Sequence, residues 1–192
     1  NRLPKEWETK SIKTEIAQIN TKFGIWFENL TKEILETVNI YGYKPSNKIR
    51  VNSSEYITVN STIGPPDFIG YSKFDNSLII IECKLLDCVF EPNGIQGEIV
   101  KFIGDKKKHY VNSFESKINW IGKNKKAIKN AIEYNCKITI PNDCKLINYC
   151  FVTYYPTTIR YIYDNIPTPT LFELIDLYNK NKKWPFKNGT IS

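Results

Sequence analysis

The spacing of apolar residues along the chain separates helical from extended segments. Where apolar residues recur every three to four positions, the pattern predicts an amphipathic helix. Such patterns predict helices at about residues 13–38, 95–110, 113–134 and 170–180. The last helix has Thr168 or Thr170 as its expected N-cap. Gly24 lies in the middle of the first helix, where it predicts a break or a close approach by another segment.

Extended segments are expected between and after these helices. Short apolar or alternating runs predict strands at about residues 48–51, 56–61, 67–71, 78–86, 145–155 and 159–163. Residues 41–47 and the pair Asp75-Asn76 are predicted to form turns. The order helix, strands, helices, strands, helix predicts an α/β fold, with a mixed central β-sheet flanked by helices. The lack of internal repeats and linkers predicts a single domain over residues 1–192.

The composition is that of an ordinary globular protein with a basic charge balance. Lys plus Arg outnumber Asp plus Glu by 27 to 20, giving a net charge of +7. This balance is compatible with a polyanionic partner, although genome base bias also produces lysine-rich proteins. No apolar run is long enough to span a bilayer, and the five cysteines show no metal or redox spacing, so we expect a cytoplasmic protein with reduced thiols. The chain has no methionine, which predicts a domain excised from a longer protein.

Charged residues stand at the end of the most apolar predicted strand. Glu82 and Lys84 are two residues apart and therefore leave the same face of the sheet. Cys83 and Leu85 are expected on the opposite face, in the core. Asp67 begins the preceding strand, and a turn is predicted between the two. Antiparallel pairing is therefore expected to bring the carboxylates of Asp67 and Glu82 to neighbouring strand ends.

Two converging carboxylates suit a hard, oxygen-seeking cation. Mg²⁺, for which Mn²⁺ is the expected substitute, is held by one or two carboxylates while water and substrate phosphates complete its shell. Such a cation lowers the pKa of bound water and neutralises charge on a scissile phosphate. Lys84 can orient the water or stabilise the transition state, whereas the adjacent carboxylates argue against its acting as the general base. Asp67, Glu82 and Lys84 are thus predicted to form a magnesium-dependent centre for phosphodiester hydrolysis.

A known sequence signature resembles this segment. Pro66-Asp67, followed after fourteen residues by Glu82-Cys83-Lys84, is similar to the PD-(D/E)xK motif of the restriction-endonuclease-like nuclease superfamily. The resemblance covers roughly residues 23–110. It implies a restriction-endonuclease-like core with the motif on a β-hairpin, the two carboxylates as metal ligands, and the lysine as the catalytic lysine.

Two further site residues are implied by the same resemblance. Glu28, in the segment Gly24-Ile25-Trp26-Phe27-Glu28, resembles a first-helix carboxylate that serves catalysis and the metal shell. The alternative for Glu28 is a solvated helix position paired with Lys32 one turn later. Gln96 stands where some members carry a catalytic Gln on the helix after the motif, although the Tyr expected four residues later is replaced by Val100.

Lysines on the helices after the motif are candidate contacts to a phosphate backbone. The candidate nucleic-acid-binding residues are Lys106, Lys107, Lys108, Lys123 and Lys126. The alternative is a solvated helix face. His109 is the only histidine, which disfavours nuclease mechanisms that depend on histidine, and we expect it at the surface or in a helix cap.

The first hypothesis is therefore a metal-dependent nuclease, expected to be a DNA endonuclease acting in restriction, repair, mobile-element or anti-phage biology. RNA as the substrate stays open. One alternative is a catalytically inactive nuclease-fold module that binds nucleic acid or a protein partner. The other is a surface hairpin with a cross-strand salt bridge between Lys84 and a carboxylate. Besides nucleic acid, a second copy of the chain and a missing domain of a parent protein are the partners considered, and no membrane partner is expected.

Overall fold

The computed structural model describes residues 9–86, 88–104 and 109–191. Its helices and strands are, in chain order, α1 (Lys10–Thr37), β1 (Ile40–Tyr43), β2 (Lys48–Arg50), β3 (Tyr56–Thr58), β4 (Phe68–Ser72), β5 (Ser77–Lys84), α2 (Pro92–Ile103), α3 (Tyr110–Lys123), α4 (Lys125–Cys136), β6 (Leu146–Thr153), α5 (Leu171–Asn181) and β7 (Thr190–Ile191). Five strands form one mixed sheet in the order β1-β4-β5-β6-β7, and β2 pairs with β3 separately. The predicted α/β fold with a mixed sheet is confirmed.

Strand β5 is the centre of the sheet. It runs antiparallel to β4 and parallel to β6. Its residues alternate between the two hydrophobic layers because successive side chains of a strand point to opposite faces. Leu78 and Ile80 pack in a cluster with α3 and α4, whereas Ile79 and Ile81 pack in a second cluster with α1 and α5. The sheet therefore lies between two helical layers, as a strand this apolar requires.

The β4–β5 hairpin fixes which residues meet at its open end. Phe68 pairs with Ile81, so the antiparallel register places position 67 opposite position 82. The turn closes at Asn76, which has a left-handed backbone with φ of 48°, a conformation that asparagine tolerates better than most residues. The hydroxyl of Tyr71 donates to Asn76 Oδ1 at 3.0 Å. The predicted turn at Asp75-Asn76 is confirmed.

Residues 41–43 were predicted to lie in a turn, and this prediction is wrong because they belong to edge strand β1. Gly42 pairs directly with Gly70 of β4. The ring of Phe68 lies over this glycine pair, so that a methyl group at position 42 would overlap the ring and the Ile69 carbonyl oxygen. Both glycines are needed for this close approach.

Two further segments differ from the sequence-based expectation. The helix expected over residues 113–134 is two helices, α3 and α4, separated at Asn124. The prediction of a strand at residues 159–163 is wrong, since Thr158–Tyr161 forms a 3₁₀ turn. Its first N–H groups donate to the buried Glu98 carboxylate of α2, from Thr158 at 2.8 Å and from Ile159 at 3.2 Å. This tertiary contact outweighs the β propensity of the segment.

Other details of the helices agree with the sequence. Helix α5 begins after Thr170 with a capping box, in which the Thr170 side chain accepts from the Glu173 N–H and the Glu173 side chain accepts from the Thr170 N–H. Helix α1 continues through Gly24 without a break. No described atom outside the adjoining helix backbone lies within 4 Å of where a Gly24 side chain would begin, so neither the break nor the close approach expected there is found.

The thiols and the helices match two broader expectations. All five cysteines lie in the described part of the chain and are free. Burial raises the pKa of Cys83 and of Cys150, which keeps both as thiols at neutral pH. Within residues 9–86, 88–104 and 109–191, no helix is both long and apolar enough to cross a membrane.

We expect Gly42→Ala to lower the free energy of unfolding by about 1–3 kcal/mol, because the added methyl group must displace Phe68 or the β4 backbone. Gly24→Ala is the control: its site is open and helical, so stability should rise by about 0.5–1 kcal/mol. Urea denaturation followed by circular dichroism measures both. A Gly42→Ala variant as stable as the wild type would contradict the pairing of β1 with β4.

Candidate active site

The carboxylates of Asp67 and Glu82 lie together at the open end of the β4–β5 hairpin. Asp67 directly precedes β4, and the register places it opposite Glu82. Asp67 Oδ2 accepts a hydrogen bond from the Cys83 backbone N–H at 2.8 Å. This bond holds the Asp67 side chain against the end of β5. The convergence expected from the sequence is therefore present in the structure.

Glu82 is buried between two lysines. Its Oε1 accepts from Lys84 Nζ at 2.9 Å, and Lys117 Nζ lies 2.8 Å from both Oε1 and Oε2. The exposed fraction is 6% for Glu82 and 8% for Lys117. Charged groups at this depth are stable only when they are paired and hydrogen-bonded. The salt bridge of Lys84 is thus one part of a larger buried cluster.

The protonation of Asp67 responds to this cluster. Burial and the neighbouring Glu82 raise the pKa of Asp67 to about 6, with a further upward contribution from Glu28. Lys84 and Lys117 act in the opposite direction without cancelling the rise. A bound cation would lower this pKa by favouring the carboxylate.

Lys84 carries a positive charge at neutral pH. Burial alone would lower its pKa, but Glu82 and Asp67 outweigh burial and the net shift is upward. Its Nζ also lies 4.8 Å from the ring centroid of Tyr110, the first residue of α3, which stabilises the ammonium further. Lys84 is therefore a hydrogen-bond donor and a fixed charge rather than a base. Leu85, expected in the core, is 37% exposed because β5 ends at Lys84.

Glu28 lies on α1 close enough to interact electrostatically with Asp67. Its carboxylate is paired with Lys44, whose pKa is raised chiefly by that hydrogen bond. Lys32, the alternative partner considered for Glu28, instead lies 3.8 Å from Glu36. The structure thus brings Glu28 to the rim of the site with a lysine of its own.

The remaining candidates are distributed differently. Gln96 is exposed on α2, and the described residues contain no hydrogen bond from it to the acidic cluster. Lys106, Lys107 and Lys108 lie outside the described residues. Lys123 and Lys126 are exposed at the junction of α3 and α4, where they line an open cavity of about 470 Å³. His109 is the N-cap of α3, and its Nδ1 accepts from the Asn112 N–H at 3.3 Å, which confirms the expected cap role.

Lys117 is the residue that the sequence analysis missed. It lies on the apolar face of α3, one turn from both Phe114 and Ile121, which are fully buried. A lysine inside an apolar stripe is a signal of a buried partner, because an unpaired ammonium there would be costly. The partner could not be read from the sequence, since Glu82 is 35 residues away.

The residues present fit a magnesium ion held by few protein ligands. Within the described residues, no group of three or more His, Cys, Asp or Glu side chains could hold a metal ion. Asp67 and Glu82 offer two facing carboxylates, and of the two Asp67 oxygens only Oδ2 accepts a hydrogen bond from the described residues. Mg²⁺ is commonly bound through only one or two carboxylates, with water and phosphate as its other ligands.

We expect Asp67→Asn to stabilise the metal-free protein at neutral pH. The folded-state pKa of about 6 exceeds the ordinary value near 4, so the wild type loses stability as pH rises between these two values, whereas the neutral variant does not. The advantage of the variant should grow from pH 4 to 7 and reach about 1–2 kcal/mol, allowing for partial exposure. Urea denaturation in chelator at several pH values measures it. A difference independent of pH would contradict the raised pKa.

Comparisons with protein-family models, with curated proteins and with solved structures gave no significant match for this chain. No family membership is therefore assigned by overall similarity. The features that point to a function are the arrangement of Asp67, Glu82 and Lys84 and the resemblance of their sequence pattern to a nuclease motif.

Proposed function

We propose that this protein is a metal-dependent nuclease that hydrolyses phosphodiester bonds, with DNA as its first expected substrate. The observation that carries the proposal is the position of Asp67 opposite Glu82, with the Lys84 ammonium on the same carboxylate. Two acidic side chains and a charged donor meet at one strand end, which is the set that metal-assisted phosphodiester hydrolysis needs. All three residues belong to a sequence pattern that resembles the PD-(D/E)xK motif.

The surrounding fold supports a restriction-endonuclease-like core as the finer part of this proposal. The candidate motif lies on an antiparallel hairpin, β4–β5, inside a five-stranded mixed sheet. Helix α1 covers one face and carries Glu28 toward the site. This combination agrees with the fold that the sequence resemblance implied, while overall similarity to a known structure was not found.

The net charge of +7 favours a polyanionic substrate over a neutral one. Lys123 and Lys126 are exposed and could contact a phosphate backbone beyond the site. Contacts of this kind give salt-dependent affinity without sequence preference. DNA is the first expected substrate because the resembled motif is that of the restriction-endonuclease-like superfamily, and RNA shares the same phosphate chemistry.

Each residue has a defined task in the proposed reaction. Asp67 and Glu82 would hold Mg²⁺, which when bound supplies an activated water and positive charge beside the scissile phosphate. The Cys83 N–H fixes Asp67, and the lysines fix Glu82, so little reorganisation is needed on binding. Lys84 retains N–H groups beyond the one donated to Glu82. These can donate to a phosphate oxygen as negative charge develops there.

A second candidate function is a nuclease-like module that binds nucleic acid or a protein without cutting. One observation favours it: Lys117 already neutralises the Glu82 carboxylate. A carboxylate satisfied by two lysines has less need of a cation. The exposed lysines would serve nucleic-acid binding in either case.

Cleavage assays separate the two candidates. Supercoiled plasmid, linear duplex, single-stranded DNA and RNA are incubated with the protein in Mg²⁺, Mn²⁺ or chelator. We expect metal-dependent cleavage that falls by about 100–1,000-fold in Asp67→Asn, Glu82→Gln and Lys84→Met, since each removes a charge that acts on the transition state.

The control variant for these assays is Lys145→Met. It removes one positive charge just before β6, at the opposite end of the central strands from Glu82, and should cleave as the wild type does. Circular dichroism verifies that every variant is folded. The binding module would be favoured if none of the four substrates is cut with either metal and if nucleic-acid binding depends on salt concentration but not on metal.

A further inference from the structure

Lys117 is a second lysine on the Glu82 carboxylate, in addition to Lys84. Its Nζ is equidistant from the two Glu82 oxygens, at 2.8 Å from each. The side chain reaches this point from the apolar face of α3, between Phe114 and Ile121, and it is nearly inaccessible to solvent. The ammonium is therefore held in place by packing along its stem as well as by its two bonds.

The position between both oxygens of a carboxylate is the one taken by a cation that the carboxylate binds in bidentate fashion. One carboxylate offers a single such position. While Lys117 occupies it, a metal ion can reach Glu82 only through a remaining lone pair of one oxygen. Asp67 faces Glu82 across the hairpin and offers the second carboxylate.

The charge balance of the cluster leads to the same result. Asp67 and Glu82 carry two negative charges, and Lys84 and Lys117 carry two positive ones. One divalent ion already makes this cluster positive, and water and substrate phosphate must compensate for it. A second divalent ion would face two buried ammonium groups at short range, which is strongly unfavourable in a site of low dielectric.

We propose that the Lys117 ammonium takes the place of a second metal ion on Glu82, so that the centre holds one divalent cation, at Asp67 and Glu82. Lys117 is a positioning residue in this arrangement, acting through Glu82. The inference rests on the proposed nuclease function, because it concerns the same metal centre. Beyond that function, the centre has a defined number of ions, one, and Lys117 is the residue that sets this number.

The test measures Mn²⁺ binding in the absence of nucleic acid. Isothermal titration calorimetry and the electron paramagnetic resonance signal of free Mn²⁺ give the number of bound ions and their affinity. Both are applied to the wild type and to the variants Lys117→Met, Lys117→Arg and Lys145→Met. We expect one ion in the wild type. Lys117→Met should bind the first ion at least about tenfold more tightly and take up a second, because one positive charge has left the cluster.

The two other variants are matched controls for charge. Lys117→Arg keeps the positive charge and should keep the single ion, and Lys145→Met loses a charge at the opposite end of the central strands and should bind as the wild type does. Asp67→Asn should abolish binding in each background. Two ions in the wild type, or no change in Lys117→Met, would overturn the inference. If Lys117→Met does not fold, a wild-type count of two ions still overturns the inference, and Lys117→Arg still tests whether the charge at this position sets the count.

Cleavage measured on the same preparations distinguishes the two proposals. If the wild type cleaves and Lys117→Met binds Mn²⁺ unchanged, the nuclease function stands and the role of Lys117 is refuted. If the ion count and its change are as expected but no substrate is cut, the role of Lys117 stands and the nuclease function is refuted. A wild type that binds no Mn²⁺ contradicts the single-ion centre.

Discussion

The register of the β4–β5 hairpin is the constraint on which the rest of the site depends. Side chains alternate along a strand, so a slip of one residue would send Glu82 and Lys84 to the α1 side and bury Ile81 against α3. The turn at Asn76 and the apolar run of β5 fix that register together. Only in this register does Asp67 stand opposite Glu82, and only then does the acidic pair face α3.

A charged cluster at the end of a buried strand lowers stability unless its members compensate one another. Here the compensation comes from three elements: Asp67 before β4, Glu82 and Lys84 in β5, and Lys117 in α3. The raised pKa of Asp67 shows that compensation is incomplete at that one carboxylate. A carboxylate whose negative charge is only partly compensated gains from a bound cation, which favours its charged form.

The sequence predicts what is local and misses what depends on distant neighbours. The hairpin, its turn and the Thr170 cap follow from residues that are near one another in the chain. Tyr41-Gly42-Tyr43 has the composition of a turn, and only its pairing with β4, where Gly70 faces Gly42, makes the segment a strand. The 3₁₀ turn at Thr158–Tyr161 depends on Glu98, 60 residues from Thr158. The role of Lys117 is likewise hidden in the sequence, because it depends on a contact with Glu82, 35 residues away.

The order of elements along the chain bears on the order in which the contacts of the cluster form during folding. Asp67 and Cys83 are 16 residues apart and meet by closing one hairpin, whereas Lys117 of α3 is 35 residues from Glu82, with helix α2 between them. Because short loops close first, we expect the acidic pair to assemble before its second lysine arrives. Until α3 docks, the nascent chain presents an open carboxylate pair, and a divalent cation in the surroundings could reach it before the lysine does.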